Sequence, residues 1–179
     1  LFPARITSWK GQLEFIDVIK KMDTQNILVL FAGDTKNESY TKLVRDKIDQ
    51  NNLDGIFKIL GSINQDKMRS LYQIADLSVS FPLRAEGFGR TVSESLYSKT
   101  PVLAFDYGGV KNQLANLSDM FKVKPQDYQR LPAKIVKLLS LTEDQNKAVL
   151  EGAQEVIESN FSKINMVNQY LKLYESIKS

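Results

Sequence analysis

Residues 27–32 read Ile-Leu-Val-Leu-Phe-Ala, with no polar position at which one face could meet water, and the run stops at Gly33-Asp34. A run this short and this uniformly apolar suits a strand buried on both faces, as in a parallel sheet covered by helices on each side. Comparable strands are predicted at 1–6, 56–60, 77–81 and 101–105, with a shorter one at 120–123. Between them the apolar spacing turns helical, and Phe15, Ile16, Ile19 and Met22 share one face of a predicted helix over 12–22. Further helices are predicted over 38–51, 65–74 and 91–98, then over 128–139, 143–159 and 163–177. Repeated strand–helix units specify an α/β fold, a doubly wound parallel sheet with helices on both faces. With 179 residues, no internal repeat and no linker, the chain is read as one domain over 1–179. The last helix carries Val167, Tyr170, Leu171, Tyr174 and Ile177 at helical spacing, so it is expected to pack against something.

Glycine marks the ends of these strands. Gly11, Gly33, Gly61, Gly87, Gly89, Gly108 and Gly109 all fall in loops that follow strands, and so gather along one edge of the sheet. In open α/β sheets that edge is where ligands bind. The most informative loop is Glu86-Gly-Phe-Gly-Arg-Thr-Val-Ser-Glu94, which sets two carboxylates eight positions apart across a loop and a helix start. Glycines there let backbone N–H groups approach a phosphate, and a helix N-terminus adds a favourable dipole. A carboxylate can accept two hydrogen bonds from a sugar diol or a ribose. Together these parts suit a nucleotide-sugar.

Absent residue types narrow the chemistry. The chain has neither histidine nor cysteine, which removes disulfides, thiolates, a histidine base and the usual zinc sites. Catalysis falls to carboxylates, Arg, Lys, hydroxyls and backbone donors, or to groups borrowed from elsewhere. A net charge of +3, scattered along the chain, argues against nucleic acid and allows a weak peripheral attraction to an anionic membrane leaflet. No apolar run approaches the length of a membrane span and no basic-then-apolar signal opens the sequence, so a cytoplasmic location, extending to the inner membrane face, is expected. The Gly-x-Gly-x-x-Gly of a dinucleotide dehydrogenase is missing after the first strand, as is the acidic cluster of a phosphoacceptor receiver.

An ordered series of short motifs carries a family resemblance. It runs Pro3-Ala-Arg5-Ile-Thr-Ser-Trp-Lys10-Gly11, Leu28-Val-Leu-Phe-Ala-Gly33, Phe57-Lys-Ile-Leu-Gly61, Tyr72-Gln-Ile-Ala-Asp76, Glu86-Gly-Phe-Gly89 with Glu94, Pro101-Val-Leu-Ala104 and Gly108-Gly109. The series resembles the C-terminal, Rossmann-like domain of retaining GT-B glycosyltransferases, the glycosyl transferases group 1 family. That resemblance implies an NDP-sugar donor, a glycan or lipid-linked acceptor, hexosyl transfer without a metal or other cofactor, and an N-terminal GT-B domain as partner. It also implies that the isolated domain transfers little. Bacterial polysaccharide or glycolipid assembly is the setting that the family suggests.

The resemblance assigns roles residue by residue. Arg5 and Lys10 match the cations that hold the donor diphosphate, where a leaving group develops negative charge. Glu86 matches the acid beside the transferred sugar, and Gly87, Phe88, Gly89 and Arg90 form the turn whose amides would cradle the sugar or distal phosphate. Glu94 matches the acid that meets the nucleotide ribose. Read locally, however, Thr91-Val-Ser-Glu94 is also a capping box, which would occupy that glutamate. Gly61, Ser62 and Ile63 match the backbone that meets the base. Trp9 and Phe88 could stack on a ligand. Three positions depart from the family pattern: Ala4 and Lys99 stand where glycine is usual, and Asn112 where many members carry glutamate. No Asp-x-Asp metal motif occurs. The alternatives are a GT-B-like sugar-nucleotide epimerase or phosphorylase, and a non-catalytic nucleotide-binding module.

Overall fold

Six short parallel strands alternate with eight α-helices in a computed structural model that describes residues 1–178. In chain order they are β1 Phe2–Pro3, α1 Gln12–Ile19, β2 Val29–Ala32, α2 Glu38–Gln50, β3 Phe57–Gly61, α3 Gln65–Ile74 and β4 Ser78–Ser80. There follow α4 Arg90–Tyr97, β5 Val102–Phe105, α5 Gly109–Leu114, β6 Lys122–Val123, α6 Leu131–Leu139, α7 Glu143–Phe161 and α8 Lys163–Lys178. The strands form two parallel ladders, β1-β2-β3 and β4-β5-β6. The ladders abut through the Val79 N–H, which donates to the Leu1 carbonyl at 2.9 Å. Across both ladders the spatial order is therefore 3-2-1-4-5-6, and its reversal between β1 and β4 creates a crevice at the carboxyl ends of the strands.

The ladders share one core. Phe31, Phe2, Phe81 and Phe105, one from each of β2 and β1, one just past β4 and one from β5, form a row of rings with centroids 5.3, 6.4 and 5.0 Å apart. Phe15 of α1 closes on Phe2 and Phe81 at 5.4 and 5.6 Å. Tilted and edge-on pairs at such distances add about 0.5–1.5 kcal/mol each beyond the area they bury. The row crosses the seam, so packing joins what little hydrogen bonding there leaves separate. Helices α1, α2 and α6 lie together on one side, while α4 packs with α3, α5 and α7 on the other.

Several elements are shorter than their apolar patterns predict. The first strand keeps its ladder only over Phe2–Pro3, and α1 stops at Ile19 rather than Met22. The helix predicted from Thr91 starts at Arg90, with Gly89 as its cap at φ +79°, and the Thr91–Glu94 capping box does not form. A real capping box opens α7, where the Thr142 hydroxyl and the Gln145 side chain each bond the other's backbone. Lys99 has φ +58°, so the missing glycine leaves a left-handed lysine that costs about 1 kcal/mol. In α8, Val167, Tyr170, Leu171, Tyr174 and Ile177 are 42–72 % exposed, so the described residues do not cover the face expected to pack. No helix of the described residues is long and apolar enough to cross a membrane.

Candidate functional site

The crevice at the reversal point is a cleft of about 510 Å³, walled by the ends of β1 and β2, by α3, and by the loop and first turns of α4. It brings together Arg5, Lys10, Glu86, Phe88, Gly89, Arg90 and Glu94, with Tyr72 and Met68 from α3 behind them. Residues 76 positions apart meet here because β1 and β4 are neighbours.

Arg5 leaves β1 with an exposed side chain, and among the described residues its guanidinium makes no ion pair. Its backbone is fixed instead: buried Gln12 donates to the Arg5 carbonyl at 2.8 Å. Lys10 ends the same loop, with its ammonium 4.3 Å from the Trp9 ring centre and ion-paired to Glu86 Oε1. Trp9 thus stacks on a cation of the site itself. The two charged side chains of the Lys10–Glu86 pair are only 15 % and 12 % exposed, so each needs the other.

The Glu86 loop is clamped from behind. Gly109 N–H donates to the Glu86 carbonyl at 2.8 Å. A side chain at Gly109 would lie 2.1 Å from the Gly87 oxygen, so only glycine lets α5 come this close. Gln113 of α5 is fully buried and donates to the Phe88 carbonyl, while Ser93 donates to its Oε1 at 2.6 Å. Carbonyls are thereby satisfied on the inner side, and the Gly87, Phe88 and Gly89 N–H groups make no bond among the described residues. Such unpaired amides beside a helix start form an anion cradle. The Phe88 ring packs edge-on against Phe161 of α7 at 5.8 Å.

Glu94 sits one turn into α4. One carboxylate oxygen accepts from the Tyr72 hydroxyl at 3.1 Å, and the other lies 3.5 Å from the Arg90 guanidinium. Burial, then the Glu94 charge, pushes the Tyr72 phenol far above its ordinary range, so it stays a neutral donor. The cleft walls do not include Gly61, Ser62, Ile63 or Gly87. Gly61 ends β3, where its carbonyl accepts from the Gly33 N–H at 2.9 Å, and Ser62 and Ile63 follow it; Ser62 is exposed. Sequence reasoning quoted Tyr72 within a motif but gave it no role, and it passed over Gln113 entirely.

Comparison with known proteins identifies the family and the fold. Residues 1–155 match the family described as Glycosyl transferases group 1. A trehalose synthase of Thermococcus litoralis is 28 % identical over 182 residues, covering 97 % of this chain and 43 % of the relative. A glycosyltransferase structure from Rickettsia africae superposes with a TM-score of 0.90 at 30 % identity, covering 99 % of this chain and 47 % of that one. The Anabaena protein HepE, solved with UDP and glucose, superposes at 0.85 and 24 % identity over 98 % of this chain and 47 % of its own, and so shares the fold. The chain spans less than half the length of each of these three proteins. It is a member of the glycosyl transferases group 1 family.

Proposed function

We propose that this domain holds the NDP-sugar of a retaining, metal-independent glycosyltransferase acting on a glycan or lipid acceptor. The carrying observation is the cleft in which three cations (Arg5, Lys10 and Arg90), two carboxylates and the unpaired amides of Phe88 and Gly89 converge. Arg5 and Lys10 then hold the diphosphate and stabilise the charge that develops as it leaves, work a metal does elsewhere. Glu86, tethered by Lys10, lies beside the sugar, and the Gly87–Gly89 amides cradle the sugar or distal phosphate. Glu94 accepts the ribose diol. With no histidine in the chain, transfer with retention lets the leaving phosphate take the acceptor proton.

The acceptor site and water exclusion belong to an N-terminal GT-B domain. The uncovered apolar face of α8 and the partial coverage of the relatives support that assignment. The test is calorimetric titration of this chain with UDP, GDP and ADP, repeated with Arg5→Ala and Glu94→Ala. One nucleotide binding, weakened by both substitutions, is the expected result. A nucleotide that binds both variants as well as it binds the parent chain would refute the site. Incubation with the matching NDP-sugar, with and without phosphate, separates transfer from epimerisation or phosphorolysis.

A further inference from the structure

Helix α3 is polar along most of its length, and Tyr72 is the residue it buries, at 2 % exposure. Both ends of Tyr72 are tied. Its backbone carbonyl accepts from the buried Thr100 hydroxyl, and its phenol reaches Glu94 Oε2 at 3.1 Å and the Thr91 carbonyl at 3.4 Å. A phenol has one proton to give, and the shorter, charge-assisted contact to the carboxylate is the stronger. The other tether on Glu94 is weaker, because Arg90 is 83 % exposed and water competes for it.

We infer that Tyr72 is a positioning residue whose hydroxyl holds the Glu94 carboxylate in the orientation that accepts the ribose diol of a nucleoside diphosphate. The inference rests on the reading of Glu94 proposed above. A carboxylate offers about four acceptor sites, so one bond from Tyr72 leaves room for two ribose hydroxyls. Fixing the side chain before the ligand arrives removes a rotamer cost that binding would otherwise carry. Glu94 needs such support because it is half exposed on a helix surface, whereas Glu86 is held by Lys10.

The test is Tyr72→Phe in this chain, titrated with UDP, GDP and ADP, with their 2′-deoxy forms, and with pyrophosphate. Losing one hydrogen bond should weaken the bound ribonucleotide about two- to tenfold. The 2′-deoxy form should weaken less, so the ribo-to-deoxy ratio shrinks while pyrophosphate affinity holds. In a Glu94→Gln background, Tyr72→Phe should leave that ratio unchanged. Tyr72→Leu should shrink it equally, which separates the hydroxyl from the ring. A merely structural tyrosine would weaken pyrophosphate too and leave the ratio intact. Discrimination by the parent chain that persists in Tyr72→Phe overturns this inference alone. A parent chain that binds ribo and deoxy forms equally, or binds no nucleotide, overturns the ribose reading and this inference with it.

Discussion

At the carboxyl ends of the strands, charged side chains ring a cleft of about 510 Å³; at the amino ends, a hollow of about 250 Å³ is walled by Leu28, Ile74, Leu139 and other apolar residues. The same sheet makes both. Where strands end, the chain turns through glycines and gathers Arg5, Lys10, Glu86 and Glu94. Where strands begin, side chains such as Leu28 and Ile74 stand 58 % and 74 % exposed and hold no charges in array. Between the two ends lies the row of phenylalanines that makes the ladders one body. Stability and binding therefore reside in separate layers, and substitutions should separate them.

The largest expected effect is in the middle layer. Phe81→Ala removes the ring that touches Phe2, Phe15 and Phe105 across the seam, and should cost about 3–5 kcal/mol. For a chain of this size that lowers the melting temperature by roughly 6–20 °C. Urea or thermal unfolding reads it, and a loss under 1 kcal/mol, by the same scale, would mean the ladders are held by something else.

Arg5→Ala should do the reverse. A charge-assisted hydrogen bond is worth about 1.5–3 kcal/mol, so nucleoside diphosphate affinity should fall roughly ten- to a hundredfold. Melting should hardly move, since Arg5 is exposed and forms no ion pair among the described residues. Gln113→Leu falls between these cases. It strands the Phe88 carbonyl and the Ser93 hydroxyl, costing about 1–3 kcal/mol, and it frees the loop that carries the cradle. Hydrogen exchange at the Gly109 and Val92 N–H groups, which bond the Glu86 and Gly89 carbonyls of the loop, should accelerate more than exchange in β2. Equal acceleration would make Gln113 a general core residue rather than a clamp.

These layers were unequally legible in the sequence. The run at 27–32 gave away β2 because burial on both faces leaves no polar position, and α3 was placed at its observed bounds from helical spacing. Arg5, Lys10, Glu86 and Glu94 are named by the family resemblance rather than by any local pattern, and the fold gathers them on one cleft. What joins them was not legible. Lys10 to Glu86, Gln113 to Phe88 and Tyr72 to Glu94 span 76, 25 and 22 positions, and no local pattern encodes which distant side chains meet. Thr91–Glu94 shows the opposite failure, a correct local motif overridden by tertiary structure. Gly89 supplies the helix cap with its backbone, and Glu94 turns to Tyr72 and Arg90 instead.

Beside α1, a third group should respond only to alkali. Burial, then the Glu14 charge, pushes the Tyr40 and Tyr128 phenols up to about 12, and neither hydroxyl has a hydrogen-bond partner among the described residues. Their folded values lie above the ordinary 10, so the native state keeps protons that the unfolded chain releases. Stability is fully present below pH 10 and declines as pH rises from about 10 to 12. Denaturation midpoints across that window measure it, and Tyr40→Phe should flatten the decline. An unchanged slope would place the alkaline loss elsewhere.

The smallest expected effect tests the amino-end hollow. Ile74 closes α3 only two residues beyond Tyr72, yet it projects outward at 74 % exposure. Ile74→Thr should therefore change stability by no more than about 0.5 kcal/mol and leave nucleotide affinity untouched. Proximity in sequence argues for coupling between the two sites, while the geometry argues against it. Tyr72 is anchored by Thr100 below and Glu94 above, so the last turn of α3 can loosen without moving the phenol. Parallel titration and melting of Ile74→Thr and Tyr72→Phe decide the matter. If Ile74→Thr shifted the ribo-to-deoxy ratio as Tyr72→Phe does, the two ends of the sheet would be one system, and the separation of binding from the apolar end would fail.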